Sequence, residues 1–249
     1  MLNIQKIINE PLTFEAAVEY FKGKVPVTKD EFDSLLSQYK TKAFTVSGYT
    51  SLEVIKKFMD EIEKALNEGL TIEDFKKRMN DFLERKGYKG ITPYQADNIF
   101  RTNIQTAYNV GHYRRMTQPS VLKARPYWMY DAVNDSKTRP THLAMDGKVF
   151  PANHKVWDTW YPPNGYRCRC GVRSLSERQV KAMGLKVETE VPKMAETKIY
   201  DPSKGKMVKS ILIPLAVDPG FSTNPAKTDW KPDLSKYPKV LRDAYKNRK

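Results

Sequence analysis

Three times in its first 75 residues the chain places a threonine three positions before an acid: Thr28 and Glu31, Thr50 and Glu53, Thr71 and Asp74. No other feature restricts the fold as much. The hydroxyl accepts from an unpaired amide in a helix's first turn, and the acid reaches back to the amide of the cap residue. Each pair therefore predicts a helix start. Behind Thr50, Val54, Ile55, Phe58, Ile62 and Leu66 recur every three or four residues, and behind Thr71 so do Phe75, Met79, Phe82 and Leu83. This is the period of one buried helical face. Gly69 and Gly87 stand where these helices should end, because the residue past the last turn commonly takes a positive φ. The pair predicts an antiparallel helical hairpin. Thr92, Pro93 and Gln95 open a longer helix to about Met116, with proline at the first helical position, where a missing amide is harmless. On it Ile99, Ala107, Tyr108 and Val110 are expected to be buried, while Arg114 and Arg115 close the C-terminal end, where cations suit the helix dipole.

After Thr117–Ser120 the pattern changes. Arg125–Val133 is rich in aromatics and valine and predicts a strand. Turn residues follow, and Trp128, Trp157 and Trp160, three of the four tryptophans, fall in this stretch. Ser174 to Glu177 predicts a further helix to about Met183, followed by short β-like pieces at 186–191 and 207–217 and a Pro-rich basic tail. The expected fold class is α+β. A helical region spans residues 1–90, a compact, irregular small-sheet unit spans 91–183, and β pieces with the basic tail span 184–249.

Charge and composition bear on partners and compartment. A chain with 40% apolar and 29% charged residues has the make-up of a globular protein. No run reaches the roughly 18 apolar residues a membrane span requires, and Ile211–Val217 is short and contains a proline. The N-terminus lacks the apolar core of a signal peptide, so a reducing cytoplasm is expected, where structural disulfides are rare. Lys and Arg number 43 against 29 Asp and Glu, a net charge of +14. Between Arg101 and Val180 the balance is 13 to 5, and from Trp230 to Lys249 it is 7 to 2. Such a field favours nucleic acid or an acidic protein surface, although it also serves solubility alone.

The two cysteines, Cys168 and Cys170, are separated by one arginine, and two of the three histidines, His142 and His154, lie in the same 29-residue stretch. Two imidazoles and two thiolates match a tetrahedral structural zinc site. In an extended strand, positions i and i+2 lie roughly 6.5 Å apart, so a C-x-C pair needs a bend, which a turn after Pro162–Tyr166 could supply. Arg167 and Arg169 would favour the thiolate forms. Other readings remain open. The cysteines could be small buried hydrophobes beside hydrogen-bonded histidines. A thiol nucleophile has no recognised partner nearby in sequence, although His142 could approach in space. A metal-dependent nuclease would use a histidine base with Asp135 or Asp146 on a cation. Glu188 and Glu190 have the spacing of an ADP-ribosyltransferase glutamate pair but lack its serine motif, and a half-exposed strand explains them equally.

Taken in order, the helix Arg101–Met116, "YWMYDAVNDSKTRPTHLAMDGKVF", "HKVWDTWYPPNGYRCRC" and "VDPGFSTNPAK" closely resemble the phage Mu F-like minor head proteins, also called phage head morphogenesis proteins. The matching signature runs from about Thr92 to Ser176 and is extended by Asp218–Pro225. It falls here on Arg101, Asp135, Thr138, Arg139, His142, Gly147, Trp157, Pro162, Pro163, Cys168 and Cys170. The resemblance implies a non-enzymatic minor component of a tailed-phage or prophage head, with no catalytic residues. It implies association with the portal protein, presence with capsid or scaffolding proteins during procapsid assembly, and a place near packaged double-stranded DNA. The location implied is the virion interior, and the host cytoplasm during assembly, with no membrane partner. Some relatives carry a histidine just after the two prolines, where this chain has Asn164 and Gly165. On this reading zinc is a structural cofactor held by His142, His154, Cys168 and Cys170, and Arg114, Arg115, Arg167 and Arg169 face nucleic acid or a protein partner. Asp135 is expected to cap the turn that orients His142, Arg139 to pair with a carboxylate or phosphate, and Trp157 and Trp160 to fill the core.

Overall fold

The computed structural model describes residues 15–35, 37–191, 193–201 and 203–227, with Lys239 and Asp243; apart from those two positions, the basic tail from Trp230 lies outside the described residues. The chain is α+β and divides into two compact units inside its longest helix. One takes the residues up to Gly111 and the other runs from His112 to Lys227.

The first unit contains α1 (Glu15–Lys22), α2 (Lys29–Ser34), α3 (Ser37–Lys40), α4 (Leu52–Glu68), α5 (Ile72–Arg85) and most of α6 (Pro93–Met116). Two short strands, β1 (Val25–Pro26) and β2 (Ala43–Phe44), pair in parallel. Thr28 and Thr71 cap α2 and α5 with both halves of the capping box formed. Thr92 does the same for α6: its hydroxyl accepts from the Gln95 amide at 3.2 Å, and the Gln95 side chain accepts from the Thr92 amide at 2.9 Å. The cap expected at Thr50 is displaced by one residue. Ser51, adjacent to the first helical residue, accepts from the Val54 amide instead. Gly69 and Gly87 take φ of 70° and 76°, ending α4 and α5 in the left-handed region.

The hairpin buries Ile55, Phe58, Met59 and Ile62 against Phe75, Met79 and Leu83, and ring contacts continue from Phe58 to Phe75 (6.3 Å) and on to Phe100 (5.5 Å). Glu61 of α4 is only 1% exposed. Its carboxylate lies 2.6 Å from Lys57 Nζ, with Lys64 and Arg78 of α5 at 3.7 and 3.8 Å, so the buried charge is paired, as burial requires. On α6 Ala107 and Val110 are buried, but Tyr108 is 39% exposed. Ala107 and Val110, three apart, share a face, and Tyr108 lies about 100° round from Ala107.

The second unit comprises α7 (Pro119–Ala124), β3 (Tyr127–Asp131), α8 (Pro140–Met145), β4 (Val149–Pro151), α9 (Val156–Thr159), β5 (Gly171–Leu175), α10 (Glu177–Ala182), β6 (Met194–Asp201) and β7 (Lys206–Pro214). Strand β3 is the centre of an antiparallel sheet ordered β4-β3-β5. Its alternation assigns two cores. Trp128 and Tyr130 join Phe150, Trp157, Trp160, Tyr161 and the cysteines on one side, while Met129 joins Val149, Leu175 and Val180 on the other. Edge and tilted ring contacts link Trp128 to Trp157 (5.6 Å) and Trp157 to Phe150 (5.9 Å).

Two boundaries differ from expectation. Ser176, not Ser174, caps α10. Ser174 is part of β5, where its carbonyl and hydroxyl accept from the Arg125 guanidinium. The piece at 186–191 contributes a single bridge, Val187 to Val149, and the regular ladder forms instead between β6 and β7. Among the described residues, no helix is long and apolar enough to cross a membrane.

Candidate functional site

The C-x-C segment bends where the sequence required it. The Cys168 amide donates to the Gly165 carbonyl at 3.2 Å, and within that turn Arg167 has a φ of 58°, a conformation that the Cβ of an L-residue makes costly. His142 arrives from α8, where the Arg139 carbonyl accepts from its amide at 3.0 Å. Its Nδ1 lies 3.7 Å from Cys168 Sγ and 3.5 Å from Cys170 Sγ. The three residues are 1%, 3% and 2% exposed, and both cysteines are free thiols. These donor atoms all lie within 4.8 Å of one another and could hold a metal ion. The hydrogen bond from Cys170, reinforced by the His142 imidazole, holds the Cys168 thiol well below its ordinary pKa; the same bond, with burial, pushes Cys170 upward.

A second layer fixes this group. Arg169, between the cysteines, forms a two-pronged pair with Asp135: Nη1 to Oδ2 at 2.7 Å and Nη2 to Oδ1 at 2.6 Å. That guanidinium holds the Asp135 carboxyl well below the usual carboxylate range. Asp135 also accepts from the Lys137 amide (3.0 Å) and the Thr138 hydroxyl (3.2 Å), closing the turn before α8. Arg139 donates to the Tyr166 carbonyl at 3.0 Å and pairs with Asp218 at 3.0 Å. The Asp218 amide in turn donates to the Asn164 carbonyl at 3.0 Å. Tyr130 donates to the buried Asn164 side chain at 2.9 Å, and Asn164 donates to the Thr159 carbonyl at 3.1 Å. Further along, Asn224 donates its amide to the Asp158 carbonyl and its side chain to the Trp157 carbonyl, both at 2.8 Å.

The structure thus brings together His142, Cys168 and Cys170. His154 lies elsewhere: its Nδ1 accepts from the Val156 amide at 3.1 Å, and its Nε2 is 2.9 Å from the Thr189 carbonyl. The third histidine, His112, has its Nε2 2.9 Å from the Val172 carbonyl, and burial lowers its pKa. Gly147 takes a φ of 73° and donates to Tyr130 O at 2.9 Å. Trp157 is fully buried and donates to the Pro151 carbonyl at 3.0 Å. Pro162 and Pro163 are buried and joined by a cis peptide bond. Arg101 pairs with Asp97 on its own helix, and Arg114, Arg115 and Arg167 are exposed. Sequence reasoning assigned no role to Tyr130, Asn164, Asp218 or Asn224. Asn164 and Asp218 stood in recognisable turn sequences, but turn chemistry alone does not indicate their distant partners.

Comparison with known proteins extends these observations. Residues 56–173 match the family described as Phage Mu protein F like protein. The chain is 31% identical over 257 residues to "Putative capsid assembly protein F" of Escherichia phage Mu, covering 92% of this chain and 58% of that protein. It is 32% identical over 209 residues to "Mu-like prophage FluMu F protein" of Haemophilus influenzae, covering 78% of this chain and 50% of that protein. The chain therefore spans between half and three-fifths of the length of these relatives. No solved structure matches it.

Proposed function

Because the chain belongs, through residues 56–173, to the Phage Mu protein F like family, we propose that it is a minor head protein of a tailed phage or prophage, acting in head assembly. Similarity over 92% of its length to a putative capsid assembly protein carries this reading. Its partners are then the portal protein and the capsid or scaffolding proteins. A net charge of +14 suits packaged double-stranded DNA as a further neighbour. The role is non-enzymatic. The two acids a nuclease reading would use have structural partners: Asp135 pairs with Arg169, and Asp146 accepts from the Ala132 amide and the Asn134 side chain, both at 2.8 Å.

Co-expression with a portal protein encoded beside it tests the proposal. The two are expected to co-purify, and duplex DNA incubated with the protein and Mg²⁺ or Mn²⁺ is expected to stay intact. Cleavage that disappears in a folded His142→Ala variant would instead establish a metal-dependent nuclease. Salt-sensitive DNA binding without portal retention would leave a plain nucleic-acid-binding module.

A further inference from the structure

We infer that His142 Nδ1, Cys168 Sγ and Cys170 Sγ are protein ligands of a bound Zn²⁺ ion, and that His154 is not a ligand. The spacing is the first support. For Zn–S near 2.3 Å and Zn–N near 2.0–2.1 Å in a tetrahedron, an S···N edge is about 3.6 Å. The two edges here are 3.5 and 3.7 Å.

The donor chemistry is the second. Two thiolates and an imidazole select a soft or borderline ion, whereas Mg²⁺ and Ca²⁺ favour oxygen ligands, and no carboxylate belongs to this cluster among the described residues. A divalent cation with two thiolates and a neutral imidazole carries no net charge, which suits a site whose residues are at most 3% exposed.

The third support is how the site is built. The Gly165–Cys168 turn and the left-handed Arg167 bend the chain, while Asp135 fixes the intervening Arg169. His142 engages the cluster through Nδ1 alone, since its Nε2 is buried with no partner among the described residues. His154 has both ring nitrogens occupied elsewhere. Among the described residues no fourth donor joins these three.

Metal analysis of the purified full chain, with chelation and reloading by Co²⁺, tests this. The expected result is one metal per chain, and in the Co²⁺ form an intense thiolate-to-cobalt charge-transfer band. Cys168→Ser, Cys170→Ser and His142→Ala should each weaken binding by more than about 100-fold, beyond the 10–100-fold typical of residues that only support a ligand. His154→Ala should leave metal content and spectrum unchanged. If a cysteine variant does not fold, thiol alkylation of the wild-type chain decides: bound metal should protect both thiols, and the chelator should expose them. The inference is overturned if the reloaded wild-type chain lacks the band, if the thiols alkylate equally with and without metal, or if His154→Ala abolishes binding. It rests on these three side chains and not on the head-protein reading, so loss of portal co-purification and loss of metal binding are separate outcomes.

Discussion

At the scale of single residues, space and charge around the site set sharp expectations. A Cβ on Gly165 would lie 2.8 Å from Asp218 Cγ and 3.1 Å from Arg139 Cζ. Gly165→Ala should therefore force apart the Arg139–Asp218 pair and cost about 1–3 kcal/mol, the usual range for overpacking, seen as a lower melting temperature. In the first unit, Lys24 is buried and donates to the Thr41 carbonyl at 2.7 Å. Burial, then the nearby Lys42 charge, lowers its pKa from 10.5 to about 7. Between those values the unfolded chain binds a proton that the folded chain does not, so stability rises with pH across that window. The penalty is complete below about pH 7 and gone above the unfolded pKa. Lys24→Met should stabilise the protein at neutral pH and flatten this dependence, a difference on the order of 1 kcal/mol per pH unit in denaturant titrations run in parallel. The cysteines and His142 were legible from the sequence because C-x-C and a scarce histidine stand out. That His154 turns to the Val156 amide and the Thr189 carbonyl was not, because nearness along the chain says nothing of where an imidazole points.

At the scale of elements, local chemistry was readable and choices between equal neighbours were not. Capping needs only a hydroxyl and an acceptor three residues on, so Thr28, Thr71 and Thr92 were identifiable directly. Thr50 and Ser51 offer adjacent hydroxyls, and only the path of the chain into α4 selects Ser51. Ser51→Ala should cost about 1 kcal/mol, in the range for a lost N-cap, whereas Thr50→Ala should leave the melting temperature nearly unchanged; equal effects would return the cap to Thr50. Strand β6 escaped notice because "MAETKIYD" lacks a clean apolar alternation and gains its ladder from β7, a partner beyond the turn between them. The α+β class was legible because the change from a period near 3.6 to aromatic, turn-rich sequence is itself local.

At the scale of the whole molecule, the surplus of 43 basic over 29 acidic residues is the property most open to measurement. If the chain contacts about six phosphates, its affinity for duplex DNA should fall roughly a thousandfold between about 50 and 200 mM salt, with little dependence on sequence. Binding that ignores salt would assign the charge to a protein partner instead. The signature residues also act over distance. Arg139 ties the loop at Tyr166 to Asp218, and Asn224 reaches back to the carbonyls of Trp157 and Asp158. A ribosome-bound chain released only as far as β7 has already exposed the tryptophan centre and the thiol pair, yet lacks the donors that fasten them. The bracing from Asp218 and Asn224 therefore reaches the second unit only after its thiol pair and tryptophan centre have been made.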